Sequence, residues 1–99
     1  MKEFMVEIAL TQNPPPHFWQ LIPEQRKYIA ALFDEAKLLN YSLSADRSRR
    51  WVVLPAENED KVREIIENMP LYDYFEYRAV ELMFHENISF GQIPMISLN

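Results

Sequence analysis

The side chains able to carry a proton in this 99-residue chain are few. Glu7 lies in an opening stretch where apolar and polar residues alternate, and Glu81 and His85 lie in a second alternating stretch, residues 74–85. A strand there places Phe75, Tyr77, Ala79, Glu81, Met83 and His85 on one face. A carboxylate held among apolar neighbours loses solvation of its charged form, which moves it toward the range of a base working near neutrality. Imidazole titrates there unaided. Glu81, His85 and Glu7 are therefore the candidate catalytic residues for moving a proton next to a carbonyl. The plainer alternative is an ion pair or a solvent-facing rim for each glutamate, and for His85 a hydrogen bond that fixes the following turn.

Aromatic side chains could line a pocket for a small unsaturated ligand: Tyr41, Trp51, Tyr72, Tyr74 and Tyr77, with phenol and indole groups as donors. Such residues more often fill cores and interfaces. His17 and Trp19 follow three prolines on a segment that could close over a cavity. Arg47, Arg49 and Arg50 read as a solvated hairpin tip, with anchoring of an acidic ligand as the functional alternative. Arg26 and Arg78 are less exposed candidates for the same task.

Composition removes many other chemistries. Zero Cys excludes thiolate nucleophiles, Fe–S clusters and Cys-ligated zinc, and one Gly excludes phosphate-binding loops, which need several positions without a Cβ. Two His nearly a chain length apart give no metal-ligand spacing, so no metal site is expected. The net charge of -5 argues against nucleic acid as a partner. No apolar run approaches the roughly 18 residues of a membrane span, and the opening residues lack a signal-peptide pattern. A soluble, cytoplasmic protein is expected.

The elements that must position these residues follow from periodicity. Residues 2–11 alternate as a half-buried strand that ends at Asn13 and Pro14–Pro16. A four-turn helix begins at Pro23 and carries Tyr28, Ile29, Leu32, Phe33, Ala36 and Leu39 at helical spacing, with Asn40 as a left-handed cap. Residues 41–47 and 50–54 read as a hairpin, although no Asn-Gly or Asp-Gly marks its turn. A second helix runs from Asn58 to Pro70. The order strand, helix, strand, strand, helix, strand is that of the ferredoxin-like βαββαβ fold, of α+β class, a single domain over 1–99. Both helices then cover one face of a four-stranded antiparallel sheet. The open face is expected to carry Met5, Ala9, Phe75, Tyr77 and Met83, too apolar to meet water without a partner. A homodimer or larger homo-oligomer is expected, with the 86–99 tail packed on a neighbour.

The run Ile65–Ser89 resembles the C-terminal signature of muconolactone isomerases, carried by Met69, Pro70, Leu71, Tyr72, Tyr74, Leu82, His85 and Ser89. The resemblance implies a dimeric α+β barrel and a cofactor-free proton shift within a small unsaturated lactone or aromatic-derived acid. The chain departs from the family pattern in three places, one of them Glu86, where a Pro usually follows the motif His. Asn40 stands where Gly follows the first helix, and Tyr41-Ser42-Leu43-Ser44-Ala45 replaces a strand with Leu-Trp-Arg, the Arg of which would anchor a carboxylate. A cofactor-free oxygenase of quinol-like substrates and a non-catalytic small-molecule binding or assembly protein are the alternatives on the same scaffold.

Overall fold

The computed structural model describes residues 1–84 and 86. Strand β1 (Lys2–Leu10) leads through the proline run into a short helix α1 (Pro16–Gln20) and the longer α2 (Ile22–Asp34). Strands β2 (Asn40–Leu43) and β3 (Arg49–Ala56) form a hairpin. Helix α3 (Glu59–Glu67), a 3-10 turn (Tyr72–Tyr74) and strand β4 (Phe75–Leu82) complete the order. The sheet runs β2-β3-β1-β4, antiparallel throughout. The expected βαββαβ fold is present, with α1 as an addition in the ambiguous aromatic segment.

The core lies on one sheet face. Phe4, Val6 and Ile8 of β1 and Val52, Leu54 and Ala56 of β3 meet Ile29 and Leu32 of α2 and Val62 and Ile66 of α3. Full burial of each such side chain is worth roughly 1.5–3 kcal/mol, so this face fixes where both helices lie. Two polar ties join α2 to α3 and to the turn beyond it. Tyr28 donates from its hydroxyl to the Ile65 carbonyl at 2.7 Å, and the buried Gln25 accepts the Leu71 N–H at 3.1 Å.

Three boundaries differ from the periodicity: the end of α2, the hairpin turn, which spans residues 44–48 rather than Ser48 and Arg49, and the end of α3, at Glu67 rather than Pro70. Helix α2 stops at Asp34 rather than running to Leu39, and Ala36, not Asn40, takes the left-handed conformation at φ 57°. The Lys37 N–H then bonds to the Leu32 carbonyl, which turns the chain so that Leu38 is buried and Asn40 opens β2. The hairpin turns without glycine because Asp46 organises it: its Oδ1 accepts from Ser44 Oγ (2.7 Å), Ser48 N (2.9 Å) and Ser48 Oγ (2.7 Å). This network stands in for Gly chemistry while Arg47 takes φ 66°. Helix α3 starts as its sequence suggests, with Asn58 Oδ1 accepting the Lys61 N–H.

The face of β4 is the substantive correction. In the β1–β4 register Ile8 faces Tyr77, Val6 faces Ala79 and Phe4 faces Glu81. Phe75, Tyr77, Ala79 and Glu81 therefore share the helix-covered face, and Glu76, Arg78, Val80 and Leu82 share the open one. Both parities of this edge strand carry apolar residues, so alternation alone could not choose; pairing with β1 does. The open face does carry Met5 and Ala9, joined there by Val80, Leu82, Trp51 and Val53 in place of Phe75 and Tyr77. His85 and residues 87–99 of the expected partner-bound tail lie outside the described residues.

Candidate functional site

A cavity of about 1130 Å³ opens between α2, the β2–β3 hairpin and the loop leaving β1. Its position follows from topology. β2 is an edge strand of four residues, too short to bring the whole helix down onto it. Tyr41 and Leu43 of β2 form one wall, Ile22, Arg26 and Phe33 of α2 the opposite one, and Phe18 and Trp19 of α1 close an end. Phe18 is buried and packs edge-on against both Trp19 (5.0 Å) and Tyr74 (5.6 Å), which holds α1 against the body of the protein.

The charges around this cavity oppose those of the chain as a whole. Arg26, Arg47 and Arg50 line it, against one acid, Asp46. None of the three arginines has an ion-pair partner among the described residues. Arg50 has the parity of Val52 and Leu54, so β3 aims it at the helix side, where its guanidinium carbon lies 6.0 Å from the centre of the Tyr41 ring. Its Nε is buried with no hydrogen-bond acceptor. Burial pushes the Tyr41 phenol above its ordinary 10.0, with Arg50 pulling the other way, so Tyr41 is a neutral donor at physiological pH. Asp46 is held down to about 2, first by the Ser48 N–H and then by the Ser44 and Ser48 hydroxyls. It stays ionised and its Oδ1 is occupied by three donors, which makes it a poor base.

The residues singled out in the sequence scatter over the molecule. Trp19 and Tyr41 line the cavity; Glu7, Glu81, Trp51, Tyr72, Tyr74 and Tyr77 do not. Glu81 stands on the helix-covered face at the far end of β4, half exposed and 3.5 Å from Lys2. Glu7 stands on the open face, where its Oε1 accepts from Trp51 Nε1 at 3.2 Å and meets Arg49 Nη1 at 3.3 Å. The two glutamates thus lie on opposite faces of the sheet, against the expectation that they share one. Tyr72 and Tyr77 pack with Phe75 in an aromatic cluster, and the Tyr77 hydroxyl donates to Glu67 at 3.1 Å. Burial, followed by the Glu67 contact, pushes the Tyr77 phenol up. His17 is exposed on α1, outside the cavity lining. Among the described residues no group of three His, Asp or Glu could hold a metal ion, and no helix is long and apolar enough to cross a membrane.

Arg50 is the residue the sequence reading undervalued. Arg47, Arg49 and Arg50 read together as a solvated tip, yet Arg47 occupies an exposed turn at the cavity rim, Arg49 the open sheet face and Arg50 the cavity wall. The available signal was parity: a strand that buries Val52 and Leu54 sends Arg50 to the same side.

A ferredoxin-like α+β fold with its described helices on one sheet face and a cavity on that side defines the class. The chain belongs to the muconolactone delta-isomerase family, whose model matches residues 2–87. Among solved structures it is similar to a muconolactone isomerase, at 16% identity over 84% of this chain and 90% of that one, with a TM-score of 0.70. It is also similar to the 5-chloro-2-hydroxyhydroquinone dehydrochlorinase of Burkholderia phenoliruptrix AC1100 in complex with 2,5-dihydroxybenzoquinone. The identity there is 18%, over 86% of this chain and 95% of that one, with a TM-score of 0.55. These two likenesses establish the fold. No curated protein matches the chain by sequence.

Proposed function

We propose that the helix-side cavity binds a small unsaturated lactone or aromatic-derived acid and that the protein shifts a proton within it, without metal or organic cofactor. The observation that carries this reading is the cavity itself: aromatic and aliphatic walls with arginines on its rim, in a chain of net charge -5. Membership of the muconolactone delta-isomerase family supplies the reaction type. Tyr41, kept protonated by burial, is the donor suited to an enolate oxygen developing on the ligand. Glu7 and Glu81 lie away from the cavity wall; His85, the histidine that the family resemblance singles out, is the proton carrier in this reading.

The test is incubation with muconolactone in D₂O, followed by proton NMR. Migration of the double bond with uptake of deuterium is expected, and it should be lost in His85→Gln. Absence of isomerisation over a concentration range that saturates binding would reject the catalytic reading.

One observation favours a second reading, a binding protein without turnover. The only carboxylate among the described lining residues is Asp46, tied up by two serines. Ligand binding without isomerisation would establish that alternative.

The functional unit in either reading is a homodimer or larger assembly in the cytoplasm. Met5 and Val80 stand directly paired on adjacent strands of the open face and both are exposed, an apolar surface suited to a second copy.

A further inference from the structure

We propose that Arg50 makes the cavity selective for anions, binding the acid group of a planar ligand against Tyr41; this rests on the cavity being the ligand site. The family resemblance implies a carboxylate-anchoring Arg in the second strand, which here reads Tyr41-Ser42-Leu43-Ser44-Ala45 with no Arg. Arg50 reaches the same cavity from the neighbouring strand β3.

Three observations converge on it. Its guanidinium has neither an acid nor a hydrogen-bond acceptor among the described residues, and one N–H, at Nε, is buried in that state. Buried polar groups normally have partners, so an unpaired guanidinium on a cavity wall points to a partner that arrives from outside. The other charges support an anion over a cation. Arg26 and Arg47 add positive charge at the rim, and the one acid there, Asp46, is engaged by Ser44 and Ser48. The Tyr41 ring beside Arg50 gives a planar ligand a surface to pack on while its acid group meets the planar fork of the guanidinium.

Benzoate and benzamide separate this proposal from the question of turnover. The two are nearly isosteric, differ in charge, and neither can isomerise. Dissociation constants from ligand-observed NMR on the full chain should show benzoate favoured over benzamide by about tenfold or more in the wild type. Arg50→Gln should weaken benzoate by about 10- to 100-fold and leave benzamide within about threefold. Arg50→Lys keeps the charge but loses the fork and should fall between. Arg49→Gln, on the open face of the sheet and outside the cavity lining, should change benzoate by less than about threefold. Equal binding of the two probes to the wild type, no binding of either, or retained selectivity in Arg50→Gln would overturn the proposal. A fingerprint amide spectrum guards against misfolding, and Arg50→Lys decides the matter if the Gln variant fails to fold: unchanged benzoate affinity in it also counts against the proposal. Selective benzoate binding without muconolactone turnover would remove the isomerase reading and keep Arg50 as the anchor. Turnover without selectivity would do the reverse.

Discussion

The two faces of the sheet use the same residue types to opposite ends. On the open face Arg49 and Trp51 converge on Glu7, so a carboxylate supplied by the chain satisfies both. On the helix side Arg50 and Tyr41 stand together with no carboxylate between them. Arg49 and Arg50 are adjacent in sequence, and the pleat alone sends one to each environment. A guanidinium that already has its acid contributes to folding or assembly; one that lacks it is available to a ligand. In the readings proposed above, the face with Glu7 is the surface for a second copy and the face with Arg50 is the binding site.

Four substitutions or titrations bear on this contrast. The largest effect is expected from Met5→Lys together with Val80→Lys, which places two like charges at directly paired positions of the open face. Light scattering at micromolar concentration should show a wild-type dimer or larger and a monomeric variant; a wild-type monomer would refute the assembly. Gln25→Ala comes next. It strips the acceptor from the buried Leu71 N–H and should cost about 1–3 kcal/mol in thermal or denaturant unfolding. Because Gln25 also borders the cavity, loss of stability with unchanged benzoate affinity would show that its role is to hold α2 in place.

Glu7→Gln should be milder. The pair with Arg49 is half exposed and worth about 0–1 kcal/mol after solvent screening. Benzoate binding and any turnover should stay at wild-type values, since Glu7 faces away from the cavity. A large loss of turnover would return the proton-carrying role to the open face and invert the comparison. The smallest effect concerns Asp46. Its carboxyl is lowered from 3.8 to about 2, so the stabilisation it adds is complete above about pH 4 and is lost only as pH falls through about 2. An NMR titration should place its midpoint near 2; a midpoint near 3.8 would mean that the serine network is not formed in solution.

Much of the fold was legible because its signals are local. The alternation of Phe4, Val6 and Ile8 has one apolar parity, and α3 carries its own cap at Asn58. Where a local signal was shared between two outcomes, the reading failed. Strand β4 has apolar residues on both parities, so periodicity puts Tyr77 and Glu81 on the wrong face and only pairing with β1 settles them. The apolar spacing of α2 continues to Leu39, but the left-handed turn at Ala36 ends the helix and buries Leu38 in the core instead. The hairpin lacks a glycine signature because its turn is held by side chains of Ser44, Asp46 and Ser48.

The site was less legible than the fold for a physical reason. A functional side chain is defined by what surrounds it, and those neighbours come from distant parts of the chain. Local pattern and composition were enough for the element order, the βαββαβ fold, and the exclusion of thiol and phosphate-loop chemistry. Only the assembled sheet and helices put Glu7 and Glu81 on opposite faces and three nearby arginines in three environments. The same packing leaves one of them, Arg50, without an acid beside a buried phenol. Periodicity fixes a residue's parity within its own strand, whereas its chemical role depends on which strand lies beside it and whether a partner charge is within reach.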